Sequence, residues 1–288
     1  MAETRTTCPY CGVGCGVLAE VDAEGQVSVR GDAEHPANLG RLCVKGAALG
    51  ETTALAGRLL TPELDDNPVG WSQALAAAGS RLREIVDRYG PQAVAFYASG
   101  QLLTEDYYAA NKLMKGFIGA ANIDTNSRLC MSSAVTGYKR AFGADVVPCS
   151  YEDVENSDLV VLVGSNAAWA HPVLYQRLVQ AKRDNPQLRV VVIDPRRTAT
   201  CDIADAHLAL APGSDGGLFV GLLNAIVGDG PLAGDFSDQQ QALAAAQMWD
   251  VATVAEFCGL EPQQVADFYR DFIATPRAVT LYTMGINQ

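Results

Sequence analysis

The segment Leu159-Val-Val-Leu-Val-Gly-Ser-Asn166 decides the fold of this chain, because its unbroken apolar run ends in small and polar residues. Such a run is typical of a strand that is buried on both faces of a sheet. Val190–Ile193 repeats the pattern and is followed by Asp194-Pro-Arg-Arg197, with helical sequence between the two runs. His207–Leu210 predicts a third short strand. This alternation of strands and helices predicts an α/β fold with a Rossmann-like parallel sheet.

The ends of these strands are the places where a ligand is expected. In an open parallel sheet, ligands bind beyond the carboxyl ends of the strands. Backbone N–H groups there can hold a phosphate, an arginine can pair with a pyrophosphate, and aspartates can accept hydrogen bonds from ribose or guanine. The alternative is that these are ordinary strand-to-helix turns, since no G-x-G-x-x-G motif occurs. The candidate nucleotide-binding residues are Gly164, Ser165, Asn166, Asp194, Pro195, Arg196, Gly213, Ser214 and Asp215.

Four cysteines near the start of the chain follow the spacing C-x2-C-x3-C-x27-C, and they are Cys8, Cys11, Cys15 and Cys43. Three thiolates in one tight turn and a fourth from a distant segment suit the corners of a cubane 4Fe–4S cluster. Structural zinc is an alternative, but zinc ribbons usually supply two short cysteine pairs, and Cys43 stands alone. Disulfide bonds are a third alternative, which the lack of a secretory signal disfavours.

Cys130 is a second candidate metal ligand. It follows a polar loop and precedes Ser132–Lys139, which has the sequence of a helix. The positive end of a helix dipole stabilises a thiolate, and a thiolate is a soft metal ligand. The alternative is that Cys130 is a small buried apolar residue, as many single cysteines are.

Composition and charge limit the possible partners. The chain has 288 residues and a net charge of −12, which argues against a nucleic-acid partner. No apolar run reaches the roughly 18 residues that a membrane helix needs, so no membrane partner is expected. The N-terminus shows no export signal, which predicts a cytoplasmic protein. The last residues, Val279–Gln288, have the sequence of a strand that leads into a functional loop, which predicts a fragment truncated at its C-terminus.

Three domains are predicted along the chain. Residues 1–60 contain the cysteines and a hairpin pattern, and they predict a small β-rich iron–sulfur domain. Residues 61–145 predict part of an α/β domain that carries Cys130. Residues 146–288 predict a Rossmann-like dinucleotide-binding domain.

These motifs together resemble the molybdopterin oxidoreductases that carry an N-terminal 4Fe–4S cluster and a molybdenum-bis(molybdopterin guanine dinucleotide) cofactor. The resemblance implies that the N-terminal cysteines bind the cluster and that Cys130 is the molybdenum ligand. It implies that Lys45 lies between cluster and pterin, where a cation stabilises an added electron. It adds four further cofactor contacts, which are Gln101, Asn126, Met284 and Gln288.

The residue after the metal-binding cysteine points to a subfamily. Formate dehydrogenases of this family place a histidine there, and a base suits a reaction that releases a proton. Here the residue is Met131, which cannot accept a proton but can narrow an apolar wall beside the metal. The Cys130–Met131 pair resembles nitrate reductases of both the periplasmic and the assimilatory types. The missing export signal and the segment Gly164–Pro172, with its Trp169, favour the assimilatory type.

The resemblance implies a two-electron reduction of nitrate to nitrite, with electrons relayed one at a time through the cluster. The implied partners are nitrate and an electron donor protein, which is a flavoprotein subunit, a ferredoxin or a flavodoxin. Two alternatives remain open from the sequence. One is a formate dehydrogenase of the same family, and the other is a non-catalytic iron–sulfur module for electron transfer.

Overall fold

The computed structural model describes residues 3–100, 102–230 and 238–287. The described residues up to Thr53 form one compact unit with Thr136–Asn287, and Ala54–Val135 forms a second unit. The division into three domains stays a prediction. Two of the predicted cofactor contacts, Gln101 and Gln288, lie outside the described residues.

The first unit begins with a three-stranded antiparallel sheet in the order β1-β2-β3, formed by β1 (Glu3–Thr7), β2 (Gly16–Val21) and β3 (Val27–Gly31). The hairpin of β2 and β3 agrees with the expected pattern. β1 carries five exposed residues without apolar alternation, so its sequence gives no strand signal. Helix α1 (Val44–Ala47) and a 3₁₀ turn (Leu49–Thr53) complete this N-terminal part.

The second unit has a small core around Met114, which is fully buried. Its strands form two pairs: β4 (Glu63–Leu64) with β5 (Asn67–Pro68), antiparallel, and β6 (Phe96–Ala98) with β7 (Ile123–Thr125), parallel. Its helices are α2 (Trp71–Tyr89), α3 (Thr104–Asn111), which continues as a π-helix (Lys112–Ile118), and α4 (Ser127–Cys130). Helix α5 (Ser132–Phe142) begins at the end of this unit and continues into the first.

The rest of the first unit is built on a parallel sheet, as the apolar runs predicted. Its strands are β8 (Leu159–Val163), β9 (Arg189–Ile193), β10 (Ala206–Leu208) and β11 (Ala278–Tyr282), in the order β10-β9-β8-β11. All three strand pairs are parallel. The mixed α/β fold class is therefore confirmed.

Helices cover both faces of this sheet. The helices of this part of the chain are α6 (Tyr151–Asn156), α7 (Ala167–Ala170), α8 (Pro172–Asp184), α9 (Asp215–Asp229), α10 (Gln239–Ala246), α11 (Val251–Cys258), α12 (Pro262–Ile273) and α13 (Met284–Asn287). Leu159, Val161 and Val163 pack with residues of α9, α11 and α12. Val160 and Leu162 pack on the other face, with residues of α6 and α8. This burial of alternate residues on two faces explains why β8 is apolar throughout.

None of the helices within the described ranges combines the length and the apolar character that crossing a lipid bilayer requires.

Candidate functional site

The four N-terminal cysteines line one pocket together with Lys45. This cysteine pocket is formed by the thiols of Cys8, Cys11, Cys15 and Cys43. The first three belong to the cysteine turn, residues 8–15, which connects β1 to β2. Cys43 comes from the segment that precedes α1. The structure therefore brings together the residues that the spacing predicted as a set of ligands.

Backbone hydrogen bonds close the cysteine turn. The N–H of Cys8 donates to the carbonyl of Cys15 at 2.9 Å, and the N–H of Gly14 donates to the carbonyl of Cys11 at 3.3 Å. Gly14 has a φ of +68°, in the left-handed region that favours glycine. The turn thus places three thiols close together without help from a helix or strand.

Asn38 connects the cysteine turn to the segment that carries Cys43. Its side chain is fully buried, and its Oδ1 accepts the N–H of Gly16 at 2.8 Å. Its Nδ2 donates to the carbonyls of Gly16 at 3.0 Å and Arg41 at 2.9 Å. Sequence reasoning missed Asn38, because nothing in the pattern distinguishes this amide from a surface one.

The thiols of the cysteine pocket act on one another electrostatically. Burial, followed by the neighbouring thiols of Cys11, Cys8 and Cys43, raises the pKa of Cys15 to about 11. Metal ligation requires thiolates, and bound iron supplies the positive charge that makes their ionisation favourable. No group of three or more His, Cys, Asp or Glu side chains in the described ranges is arranged to hold one metal ion. The ligands of a cubane instead bind four separate irons, so the donor set fits a 4Fe–4S cluster.

Lys45 lies close to the start of α8, since it lines the cysteine pocket together with Pro172 and Val173. Its Nζ is 6.0 Å from the centroid of the Tyr10 ring, at the outer limit of a cation–π contact. His171, between α7 and α8, has a lowered pKa because of burial and, second, the positive charge of Lys45. His171 is therefore neutral near pH 7. Nothing in the sequence pattern connects this histidine with Lys45, which lies 126 residues earlier.

The three predicted dinucleotide loops follow β8, β9 and β10, so they lie at the same edge of the parallel sheet. Two of them are linked through Thr200, whose Oγ1 donates to Asn166 Oδ1 at 3.0 Å and accepts the N–H of Ala168 at 3.1 Å. Gly164 has a φ of +56° and begins the first loop. This arrangement brings Gly164, Ser165 and Asn166 close to the segment after β9.

Polar groups at this edge shape the other two loops. The buried Asp194 accepts the N–H of Arg196 at 2.8 Å, which closes the turn after β9. Ser214 is buried and donates to the carbonyl of Ala211 at 2.6 Å, directly before Asp215 begins α9. Within the described ranges, Thr198 Oγ1 is buried without a hydrogen-bond partner. A buried hydroxyl of this kind fits a loop that binds a polar ligand.

Cys130 lies two residues before the predicted helix, which begins at Ser132 as α5, but a separate short helix, α4, ends at Cys130. Its N–H donates to the carbonyl of Asn126 at 3.0 Å, so Cys130 ends the single turn of α4. Met131 interrupts the helix with φ −141° and ψ 27°, and α5 starts after it. Cys130 is partly exposed rather than buried. This partial exposure disfavours the alternative of a buried packing residue.

Asn126 lies in a tightly packed part of the second unit. A Cβ on Gly100 would approach Ser127 Oγ to 2.6 Å and Asn126 Oδ1 to 2.8 Å. The chain after β6 therefore passes close to the residue that was predicted to contact the pterin. Met284, by contrast, starts the short helix α13 of the first unit rather than a loop.

Family comparisons identify both parts of the chain. Residues 1–54 match the molybdopterin oxidoreductase Fe4S4 domain, and residues 58–288 match molybdopterin oxidoreductase. The chain belongs to the molybdopterin oxidoreductase family. The 4Fe–4S cluster and the molybdopterin cofactor are thereby confirmed, and zinc and disulfide bonds are set aside for the cysteine pocket.

Several members of the molybdopterin oxidoreductase family are similar along this chain. A nitrate reductase of Klebsiella oxytoca is 82% identical over 288 residues, which are 100% of this chain and 33% of that protein. A periplasmic nitrate reductase of Desulfovibrio desulfuricans is 38% identical, over 99% of this chain and 40% of that protein. An assimilatory nitrate reductase of Haloferax mediterranei is 41% identical, over 78% of this chain and 32% of that protein. The chain thus spans about a third of the length of these relatives.

One solved structure of the family confirms the fold. The acetylene hydratase from Pelobacter acetylenicus superposes with a TM-score of 0.84, at 21% sequence identity, over 98% of this chain and 40% of that chain. At this identity the likeness concerns the fold.

Proposed function

We propose that this chain is part of a molybdenum-dependent nitrate reductase of the assimilatory type, which reduces nitrate to nitrite. The observation that carries this proposal is the 82% identity to the nitrate reductase of Klebsiella oxytoca over the whole chain. The pair Cys130–Met131 supports nitrate over formate as substrate, because Met131 supplies no base at the position beside the metal ligand.

In this proposal the residues of the chain have the following roles. The thiols of the cysteine pocket hold the 4Fe–4S cluster, and Cys130 holds molybdenum. The bis(molybdopterin guanine dinucleotide) form of the cofactor, when bound, supplies the site of oxygen-atom transfer from nitrate. Its proposed contacts are Gln101, Asn126, Gly164, Ser165, Asn166, Asp194, Pro195, Arg196, Gly213, Ser214, Asp215, Met284 and Gln288.

Lys45 and Met131 act beside these groups. Lys45 carries a positive charge at the cysteine pocket, two residues after Cys43, and this charge favours arrival of an electron there. His171 stays neutral beside Lys45, so it adds no second charge at pH 7. Met131 presents a thioether next to the proposed molybdenum ligand and limits the space for nitrate.

The proposed protein is cytoplasmic and receives electrons from a flavoprotein subunit, a ferredoxin or a flavodoxin. Nucleic acid and membrane are not proposed as partners. The net charge of −12 supports the exclusion of nucleic acid. The proposed compartment follows from the assimilatory reaction, since nitrite for biosynthesis is needed inside the cell.

Substitution of Cys130 tests the function in the intact holoprotein. Cys130→Ser replaces a soft thiolate by a hard hydroxyl, so we expect nitrate reduction with an artificial electron donor to fall at least about 100-fold. The cluster signal in EPR should persist, because its ligands are untouched. Cys149→Ser is the matched control, since Cys149 is an exposed cysteine outside the cysteine pocket.

Three results would contradict the proposal. Full nitrate reduction by Cys130→Ser would remove its role as metal ligand. Oxidation of formate without reduction of nitrate by the unchanged protein would favour formate dehydrogenase. Absence of molybdenum in metal analysis, with iron present, would favour the electron-transfer module.

A further inference from the structure

Arg177 in α8 is a buried charge that the proposed reaction does not use. It is the largest fully buried residue in the described part of the chain, and only 1% of its side chain is exposed. Its Nε and Nη2 donate to the two carboxylate oxygens of Glu155 at 2.6 and 2.9 Å. Its Nη1 donates to the carbonyls of Pro36 at 2.6 Å and Ala37 at 2.9 Å. Arg177 thus connects the parallel-sheet part of the unit to the segment that leads to Cys43.

Tyr151 extends this network to the cysteine turn. The guanidinium carbon of Arg177 lies 5.3 Å from the centroid of the Tyr151 ring, within cation–π range. The hydroxyl of Tyr151 is 3.0 Å from the carbonyl oxygen of Val13 and 3.3 Å from that of Gly12. Both carbonyls lie between Cys11 and Cys15. One network therefore reaches both segments that carry cysteine ligands.

The hydroxyl of Tyr151 is held as a hydrogen-bond donor. The two polar atoms within its reach, among the residues that the structure describes, are the carbonyl oxygens of Gly12 and Val13, which only accept hydrogen bonds. A phenol is protonated at neutral pH, so the hydroxyl donates its proton to these acceptors.

The orientation of these carbonyls fixes the N–H groups on the other side of the same peptides. In a trans peptide, the carbonyl and the N–H point in opposite directions. Because the Gly12 carbonyl faces Tyr151, the N–H of Val13 points away from Tyr151. Val13 lines the cysteine pocket, and no carbonyl in the described part of the chain accepts its N–H. This N–H therefore has no backbone acceptor within the described ranges, and it is part of a residue that lines the pocket.

We propose that Tyr151 is a positioning residue that sets the reduction potential of the cluster. By holding the carbonyls of Gly12 and Val13, it keeps the N–H of Val13 directed towards the cysteine pocket. An N–H directed at cluster sulfur stabilises the more negative, reduced state and raises the potential. Arg177 and Glu155 hold the ring of Tyr151 in place. The inference rests on the proposed binding of the cluster by the four cysteines.

Tyr151→Phe in the intact holoprotein tests this inference, because it removes the hydroxyl and keeps the ring. We expect iron and sulfide contents equal to those of the unchanged protein, and a more negative midpoint potential of the cluster in an EPR-monitored redox titration. The matched control is Tyr175→Phe. Tyr175 lies in α8 and its hydroxyl donates to the carbonyl of Ala199 at 3.2 Å, away from the cysteine turn. This control should leave the potential unchanged.

A spectroscopic measurement addresses the N–H group directly. Pulsed EPR of the reduced cluster in protein labelled with ¹⁵N-valine should show a hyperfine coupling to a valine nitrogen. The coupling should disappear in Val13→Ala and weaken in Tyr151→Phe. The Val13→Ala variant distinguishes Val13 from Val44, which follows Cys43 directly.

The outcomes separate this inference from the proposed function. Unchanged potential and coupling in Tyr151→Phe, with a full cluster, would overturn the inference and leave the cluster site intact. Loss of the cluster from a folded Tyr151→Phe would also overturn it, since Tyr151 would then be a merely structural residue. Absence of a 4Fe–4S cluster in the unchanged protein would overturn both.

Discussion

Gly16 shows how closely the backbone is packed behind the cysteine turn. A Cβ at this position would lie 2.3 Å from His35 Cγ and 2.4 Å from His35 Cβ. The base of the histidine side chain cannot swing away as its tip could, so the backbone itself would have to move. Sequence analysis predicted the ligands here, because cysteine spacing is a local signal. It missed Asn38, Tyr151 and Arg177, because their partners lie far away along the chain.

Gly16→Ala should displace the cysteine turn. We expect a loss of stability of about 1–3 kcal/mol, as for other overpacked sites, and a lower iron content after purification. Thermal unfolding and iron analysis measure the two effects. Gly70→Ala is the control, because its Cβ would meet open space and its φ is −73°. Normal iron content and unchanged unfolding in Gly16→Ala would contradict the expected collision.

At the scale of elements, apolar patterns predicted the central strands well and their neighbours poorly. β8 was predicted with its observed bounds because both of its faces are buried. β1 has no such pattern, and it forms through backbone pairing with β2. The break between α4 and α5 at Met131 was also missed. It depends on the backbone angles of one residue, which the sequence does not reveal.

Two glycines of helix α9 should differ in how their substitution by alanine changes the stability of the protein. A Cβ on Gly221 would lie 2.4 Å from Val254 Cγ2 and 2.5 Å from the hydroxyl oxygen of Tyr269, so this glycine allows close packing of α11 and α12. Gly221→Ala should destabilise the protein by about 1–3 kcal/mol. A Cβ on Gly228, in the same helix, would meet open space. Gly228→Ala should therefore leave the stability of the protein unchanged or raise it by up to about 1 kcal/mol. Chemical denaturation measures both, and equal effects would contradict the packing argument.

At the scale of the whole molecule, the cysteine pocket and the parallel sheet have separate cores. Residues of β8 and β9 belong to two buried clusters. A third buried cluster contains Cys8, Val13, Cys15, Val17 and Val173. The sequence predicted that both regions exist. It did not predict that residues up to Thr53 join Thr136–Asn287 in one compact unit, because that union depends on contacts such as those of Arg177.

Removal of iron from the holoprotein should loosen one core and spare the other. Without iron, the four neighbouring thiols have no metal to bind, and the cysteine turn loses the group around which it folds. We expect faster hydrogen exchange in residues 8–16 and 38–46, with unchanged protection in β8 and β9. Exchange measured by mass spectrometry before and after chelation tests this. Simultaneous loss of protection in β8 would show instead that the two cores unfold together.

The order of strands in the parallel sheet has a consequence for biosynthesis. β11 pairs with β8 along its whole length, and Arg277 before β11 forms an ion pair with Asp158, 119 residues earlier. A ribosome adds about 5–20 residues per second, so one edge of β8 waits on the order of ten seconds for its neighbour. During that interval an apolar strand exposes unpaired backbone groups, which invites association between nascent chains. Chaperone capture of the emerging polypeptide would therefore matter most before Tyr282 leaves the exit tunnel.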